Sequence, residues 1–75
     1  MDGQLRGRVT AFDEAVGLGT VAGDDGREYP FHCTQIADGT RTIAVGAAVV
    51  FRLWPHLGRW EASDIAVIDE GGADG

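Results

Sequence analysis

The chain predicts an all-β fold, a small barrel of five antiparallel strands, and three observations carry that prediction. Apolar and polar residues alternate with a period of two in several short segments, Gly- and Asp-containing turns punctuate them, and no segment has a convincing helical period. Seventy-five residues make one domain, near the lower limit for a self-supporting core.

The first strand is Leu5–Phe12, with Leu5, Gly7, Val9 and Ala11 directed one way and Arg8, Thr10 and Phe12 the other. Asp13–Gly17 reads as a turn and Leu18–Ala22 as the second strand. Gly23-Asp24-Asp25-Gly26 is the strongest turn signal, because Asp-Gly suits a tight hairpin with positive φ. Glu28–Cys33 then completes a three-stranded meander. Thr34-Gln35-Ile36 suits a single helical turn with Ile36 plugging the core, and Ala37–Ala47 reads as a long crossing loop. Ala48–Trp54 alternates again, with Val49, Phe51 and Leu53 inward and Val50, Arg52 and Trp54 outward. Pro55–Arg59 turns the chain, and Trp60–Ile68 returns it as the fifth strand. Residues 1–68 thus form the domain, and Asp69–Gly75, rich in Gly and acid, is expected to be a flexible tail. Three strands, a long connection and two more strands fit an OB-fold Greek-key barrel, in which closure removes exposed edges. Strand count alone does not separate it from an SH3-like barrel.

Composition narrows function more than it names it. The charge is −6, from twelve acidic residues against six basic ones, all of them Arg, and the pI is near 4.5. Nucleic-acid modules usually carry a basic footprint, so binding here requires Arg residues clustered on one face. No apolar run approaches the roughly 20 residues of a membrane helix. The N-terminus Met1-Asp2-Gly3-Gln4 lacks the basic and apolar regions of a signal peptide. Cys33 is the only cysteine, so no internal disulfide or zinc clip is available and a cytoplasmic setting is expected.

Over Gln4 to Ile68 the chain resembles the bacterial cold-shock domain. That family has a Gly-x-Val-x-Trp-Phe strand, then Lys-Gly-Phe-Gly-Phe-Ile, then a turn and Val-Phe-Val-His-Phe. The counterparts here are Gly7-Arg8-Val9-Thr10-Ala11-Phe12, then Val16-Gly17-Leu18-Gly19-Thr20-Val21, then Tyr29-Pro30-Phe31-His32-Cys33. Asp38-Gly39, Gly46 and Val49-x-Phe51 also fall in step. The resemblance implies a cold-shock-type OB-fold that binds single-stranded RNA or DNA without enzymatic activity, by stacking bases on surface aromatics beside Lys residues.

Carried over position by position, the stackers retained are Phe12 and His32. The family Trp falls at Ala11, the two Phe of the Gly-Phe-Gly-Phe segment at Leu18 and Thr20, and the Phe flanking the His at Pro30 and Cys33. The loop aromatic falls at Thr40, and the two Lys positions at Thr10 and Val16. Each stacked base contributes roughly 1–3 kcal/mol, so losing three such contacts costs about 3–9 kcal/mol before allowing for non-additivity. The usual platform is expected to bind weakly.

Phe12 and His32 are expected to share the outward face of adjacent strands. They read either as a remnant stacking pair or as a Phe that covers the sheet beside an ordinary surface His. The sequence departs from the family in the other direction at its last hairpin, where Arg52, Trp54, His56, Arg59 and Trp60 form a basic-aromatic cluster. Trp54 opposite Trp60 would make a cross-strand pair that stabilises the sheet by roughly 0.2–1 kcal/mol. The other reading is a displaced contact surface for single-stranded nucleic acid or for a protein partner, since Arg and Trp serve both.

No metal or cofactor is expected. Successive strand residues point to opposite faces, which keeps His32 and Cys33 from chelating with His56. Cys33 and His32 lack the geometry of a nucleophile and base, and Asp24-Asp25 is a turn rather than a buried acid pair. No helix follows Gly17-x-Gly19, so it is not a phosphate loop.

Overall fold

Alternation in the sequence becomes strand wherever one face can be buried, and five segments do so. The computed structural model describes residues 4–37 and 39–68. The strands are β1 (Leu5–Asp13), β2 (Leu18–Gly23), β3 (Glu28–His32), β4 (Ala48–His56) and β5 (Arg59–Val67), with a 3-10 turn at Cys33–Gln35. All strand pairs are antiparallel, in the order β3-β2-β1-β4-β5. Pairing of β1 with both β2 and β4 is the OB order, which sets aside the SH3-like alternative. The edge strands are joined without a β3–β5 ladder: Ile36 bridges Ile65, and the Ala37 amide donates to the Ile65 carbonyl at 2.7 Å.

The core lies on the inner face. Val9, Val21, Phe31, Val49, Phe51, Ala62 and Ile65 are at most 1% exposed, and Tyr29, Ile36 and Ile43 are also buried. Ile36 plugs the core as the sequence indicates. Ile43 does the same from within the long connection, a role the sequence reading did not assign.

The largest correction concerns β1. Its register against β2 shifts between Val9 and Ala11, leaving Thr10 as a bulge. One extra residue reverses the alternation beyond it. Ala11 is therefore exposed rather than inward, and Phe12 turns inward to pack against the core. The connection latches at this place: the Gly46 amide donates to the Val9 carbonyl at 2.7 Å, and the Val9 amide to the Ala47 carbonyl at 3.0 Å.

Other boundaries move by a residue or two. β3 ends at His32, so Cys33 opens the 3-10 turn instead of closing the strand. β4 continues through Pro55 and His56, and β5 begins at Arg59 and ends at Val67. The connecting turn is only Leu57-Gly58, with φ of 53° and 82°, the left-handed pair that a two-residue hairpin requires. Pro55 is tolerated because the β1–β4 ladder extends only from Leu5↔Phe51 to Arg8↔Ala48, leaving the far end of β4 as an edge. The Asp24–Arg27 turn is held by the Gly23 amide donating to the Arg27 carbonyl at 2.7 Å, with Gly26 at φ 85°. The Tyr29 hydroxyl donates to the Asp25 carboxylate at 2.5 Å, tying the turn to the core. The tail expected at 69–75 lies outside the described residues.

Candidate functional site

Two surfaces compete for the functional role. The first is the outer face of β1–β3, built from two register rows: Ala11, Thr20 and Pro30, then Asp13, Leu18 and His32. Residues in one row share a side of the sheet. Ala11, Asp13, Leu18, Pro30 and His32 are exposed and Thr20 is half-buried. A shallow depression of about 380 Å³ lies among Ala11, Leu18, Thr20 and Pro30. The only aromatic ring these two rows present is His32. Asp13 adds negative charge to the same face, and Glu61 borders the neighbouring depression beside Leu18, Pro30 and His32.

Phe12 turns away from those two rows, contrary to the expectation from alternation, and only its half-buried side chain borders the depression they enclose. It shares its row with Gly19 and Phe31, and its ring stacks on Phe31 with centroids 5.9 Å apart and planes 6° from parallel. Gly19 makes the stack geometrically available: a Cβ there would lie 2.4 Å from Phe31 Cζ. Nor are the Phe12 and His32 strands adjacent, since β2 runs between them. The structure therefore does not bring the expected pair together on one surface.

His32 has a local structural duty as well. It caps the 3-10 turn, its Nδ1 accepting from the Thr34 amide at 3.2 Å, with Thr34 Oγ1 3.0 Å away. The alternation argument separating it from Cys33 fails because the strand ends at His32, and Cys33 Sγ lies 3.9 Å from Nδ1. Among the described residues no group of three or more His, Cys, Asp or Glu could hold a metal ion.

The second surface is the β4–β5 hairpin. Its register sets Trp54 against Glu61, Pro55 against Trp60 and His56 against Arg59. The indoles are thus one step out of register and rise from opposite sides of the ribbon, so the expected Trp54–Trp60 cross-strand pair does not form. Both remain exposed, 63% for Trp54 and 54% for Trp60, and Leu57 at the tip is 90% exposed. Trp54 and Trp60 nevertheless line one groove of about 510 Å³, floored by Leu5 and Leu53 and bordered by Arg52, Ser63 and Asp64. Arg52 and Arg59 are exposed, whereas the side chain of His56 lies outside the described part. Sequence reasoning found the aromatic and basic members of this group. It missed Leu5, Ser63 and Asp64, which join only through the register of β1 and β5.

No family model and no curated protein matches this chain. Thirty solved chains do match in structure. One is a Drosophila Unr chain, CSD456, with a TM-score of 0.76 at 21% identity over 92% of this chain. This chain spans about 28% of the length of that one. Among the described residues no helix is long and apolar enough to cross a membrane. Strand order, antiparallel pairing and this likeness together give a five-stranded OB fold of cold-shock type.

Proposed function

We propose that this domain binds single-stranded RNA or DNA without catalysing a reaction, and that its contact surface has moved from the β1–β3 face to the β4–β5 hairpin. The observation that carries this reading is the groove lined by Arg52, Trp54 and Trp60, both of whose indoles are exposed. Indoles offer flat faces to unstacked bases, and Arg52 and Arg59 supply cations for the linking phosphates. The β1–β3 face offers less of both, since His32 is its one aromatic ring and Asp13 adds negative charge.

Binding of this kind is weak. One or two stacked bases at roughly 1–3 kcal/mol each supply about 1–6 kcal/mol gross. That corresponds to dissociation constants from the order of 100 mM down to tens of micromolar at best, since 1 mM is about 4.1 kcal/mol. The overall charge of −6 adds no long-range attraction. A second reading is a protein-interaction module on the same scaffold, favoured by the 90% exposure of Leu57 next to Trp60 and Pro55 at the hairpin tip. A cytoplasmic setting remains our reading of the single free Cys33.

A salt titration of binding to pooled single-stranded RNA and DNA separates the two. Affinity that falls steeply with salt, and drops in Arg59→Ala and Trp60→Ala, supports the first reading. No binding at low salt eliminates it and leaves the second.

A further inference from the structure

The hairpin groove carries a chemical asymmetry that the general reading does not use. Opposite Phe51, the β4–β5 register shifts between Val50 and Arg52, so β5 carries an extra residue there. The bulge sends Ile65 into the core at 0% exposure and leaves Asp64 outside with φ at 49°. A non-glycine residue in this left-handed region is strained, and such positions concentrate where a side chain has been re-aimed. Asp64 lines the groove, next to Ser63, whose hydroxyl donates to the Arg52 carbonyl at 3.3 Å and keeps its own oxygen lone pairs available. The groove thus offers indole faces, a cation at Arg52, and oxygen acceptors at Asp64 and Ser63.

We propose that this groove takes one unpaired guanine of a single strand, with the Asp64 carboxylate accepting from its N1–H and N2–H2 donors. The assignment rests on the nucleic-acid reading given above. A carboxylate presents two parallel acceptors, and guanine alone among the four bases presents two parallel donors on its Watson–Crick edge. Uracil and thymine present one N–H between two carbonyls, which the carboxylate repels. Arg52, which lines the same groove, meets the flanking phosphate, so the acid does not exclude the strand.

The test is an intrinsic-fluorescence titration with a uridine hexamer, the same hexamer carrying a single internal guanosine, and one carrying inosine there. Both tryptophans of the chain are Trp54 and Trp60, so quenching reports this hairpin directly. The single guanosine is expected to tighten binding by roughly five- to 150-fold, the discrimination of one bidentate base contact. Inosine, which lacks the N2 amino group, falls between. Asp64→Asn abolishes the preference, bringing the ratio of guanosine-hexamer to uridine-hexamer affinity to about one, and Asn tolerates a left-handed backbone as well as Asp does. Equal binding of all three hexamers, or a guanosine preference that survives in Asp64→Asn, overturns the guanine assignment while leaving the broader reading standing. Absence of quenching by any of the three overturns both.

Discussion

Rebuilding the missing rings tests the proposal that the β1–β3 face binds weakly for want of them. Leu18 is 53% exposed and Thr20 is half-buried, on the outer side of β2 between Asp13 and His32 in one row and Ala11 and Pro30 in the other. The depressions of about 380 and 330 Å³ beside them leave space for larger side chains. Leu18→Phe with Thr20→Phe therefore keeps the fold, with a stability change within about 0.5 kcal/mol per site. Each ring able to stack a base contributes roughly 1–3 kcal/mol, or about five- to 150-fold in affinity. Two rings give at least tenfold tighter binding even with strong non-additivity. Anisotropy of an end-labelled oligothymidine is the assay, because indole fluorescence reports the hairpin instead. A folded double variant that binds no tighter than the parent would refute the reasoning. The loss of rings would then not be what disables this face, and the negative charge of Asp13 would be the next suspect.

Further predictions concern the core, the turn and the charge. Gly19→Ala sets a Cβ 2.8 Å from the Ala11 carbonyl oxygen as well as against Phe31, and should destabilise the fold by about 1–3 kcal/mol in chemical denaturation. At roughly 4–8 °C per kcal/mol for a domain this size, its Tm should fall by at least 4 °C. The hydrogen bond from Tyr29, then that from the Arg27 amide, holds the Asp25 carboxyl below its ordinary value, while the same Tyr29–Asp25 bond raises the Tyr29 hydroxyl above its own. Asp25 therefore contributes stability above the unfolded carboxylate pKa, lost as pH falls through its depressed folded pKa; the Tyr29 contribution is complete below the unfolded phenol value and is lost as pH rises through the raised one. Tyr29→Phe should move the onset of acid unfolding to higher pH and remove the alkaline component, as followed by circular dichroism. In salt titrations, Arg52→Ala should reduce the slope of log affinity against log salt by about 0.7, the effect of one phosphate contact on a single strand.

Sequence reached the architecture because period-two alternation is a local property. Val49, Phe51 and Leu53 lie where their spacing places them, and Ile36 fills the core from the expected turn. What it missed depends on register, which no single strand contains. The Thr10 bulge reverses every position beyond it, so Phe12 exchanged an assumed surface role for a stack on Phe31. Pro55 looked like the start of a turn because the open edge of β4 cannot be seen until β1 is known to stop at Leu5. The site divides the same way. The Arg and Trp residues of the hairpin stand out by type, whereas Asp64 reads as an ordinary acidic residue until the β5 bulge brings it to the groove.

The claim that the ligand surface has moved is tested most directly by titrating the wild-type protein with a mixed-sequence oligonucleotide at low salt. Indole fluorescence and the backbone amide spectrum are followed together. Quenching of Trp54 and Trp60, with amide shifts concentrated on β4 and β5 and reversed by salt, is the predicted result. Shifts confined to Ala11, Leu18, Thr20 and His32 with unchanged indole emission would contradict it.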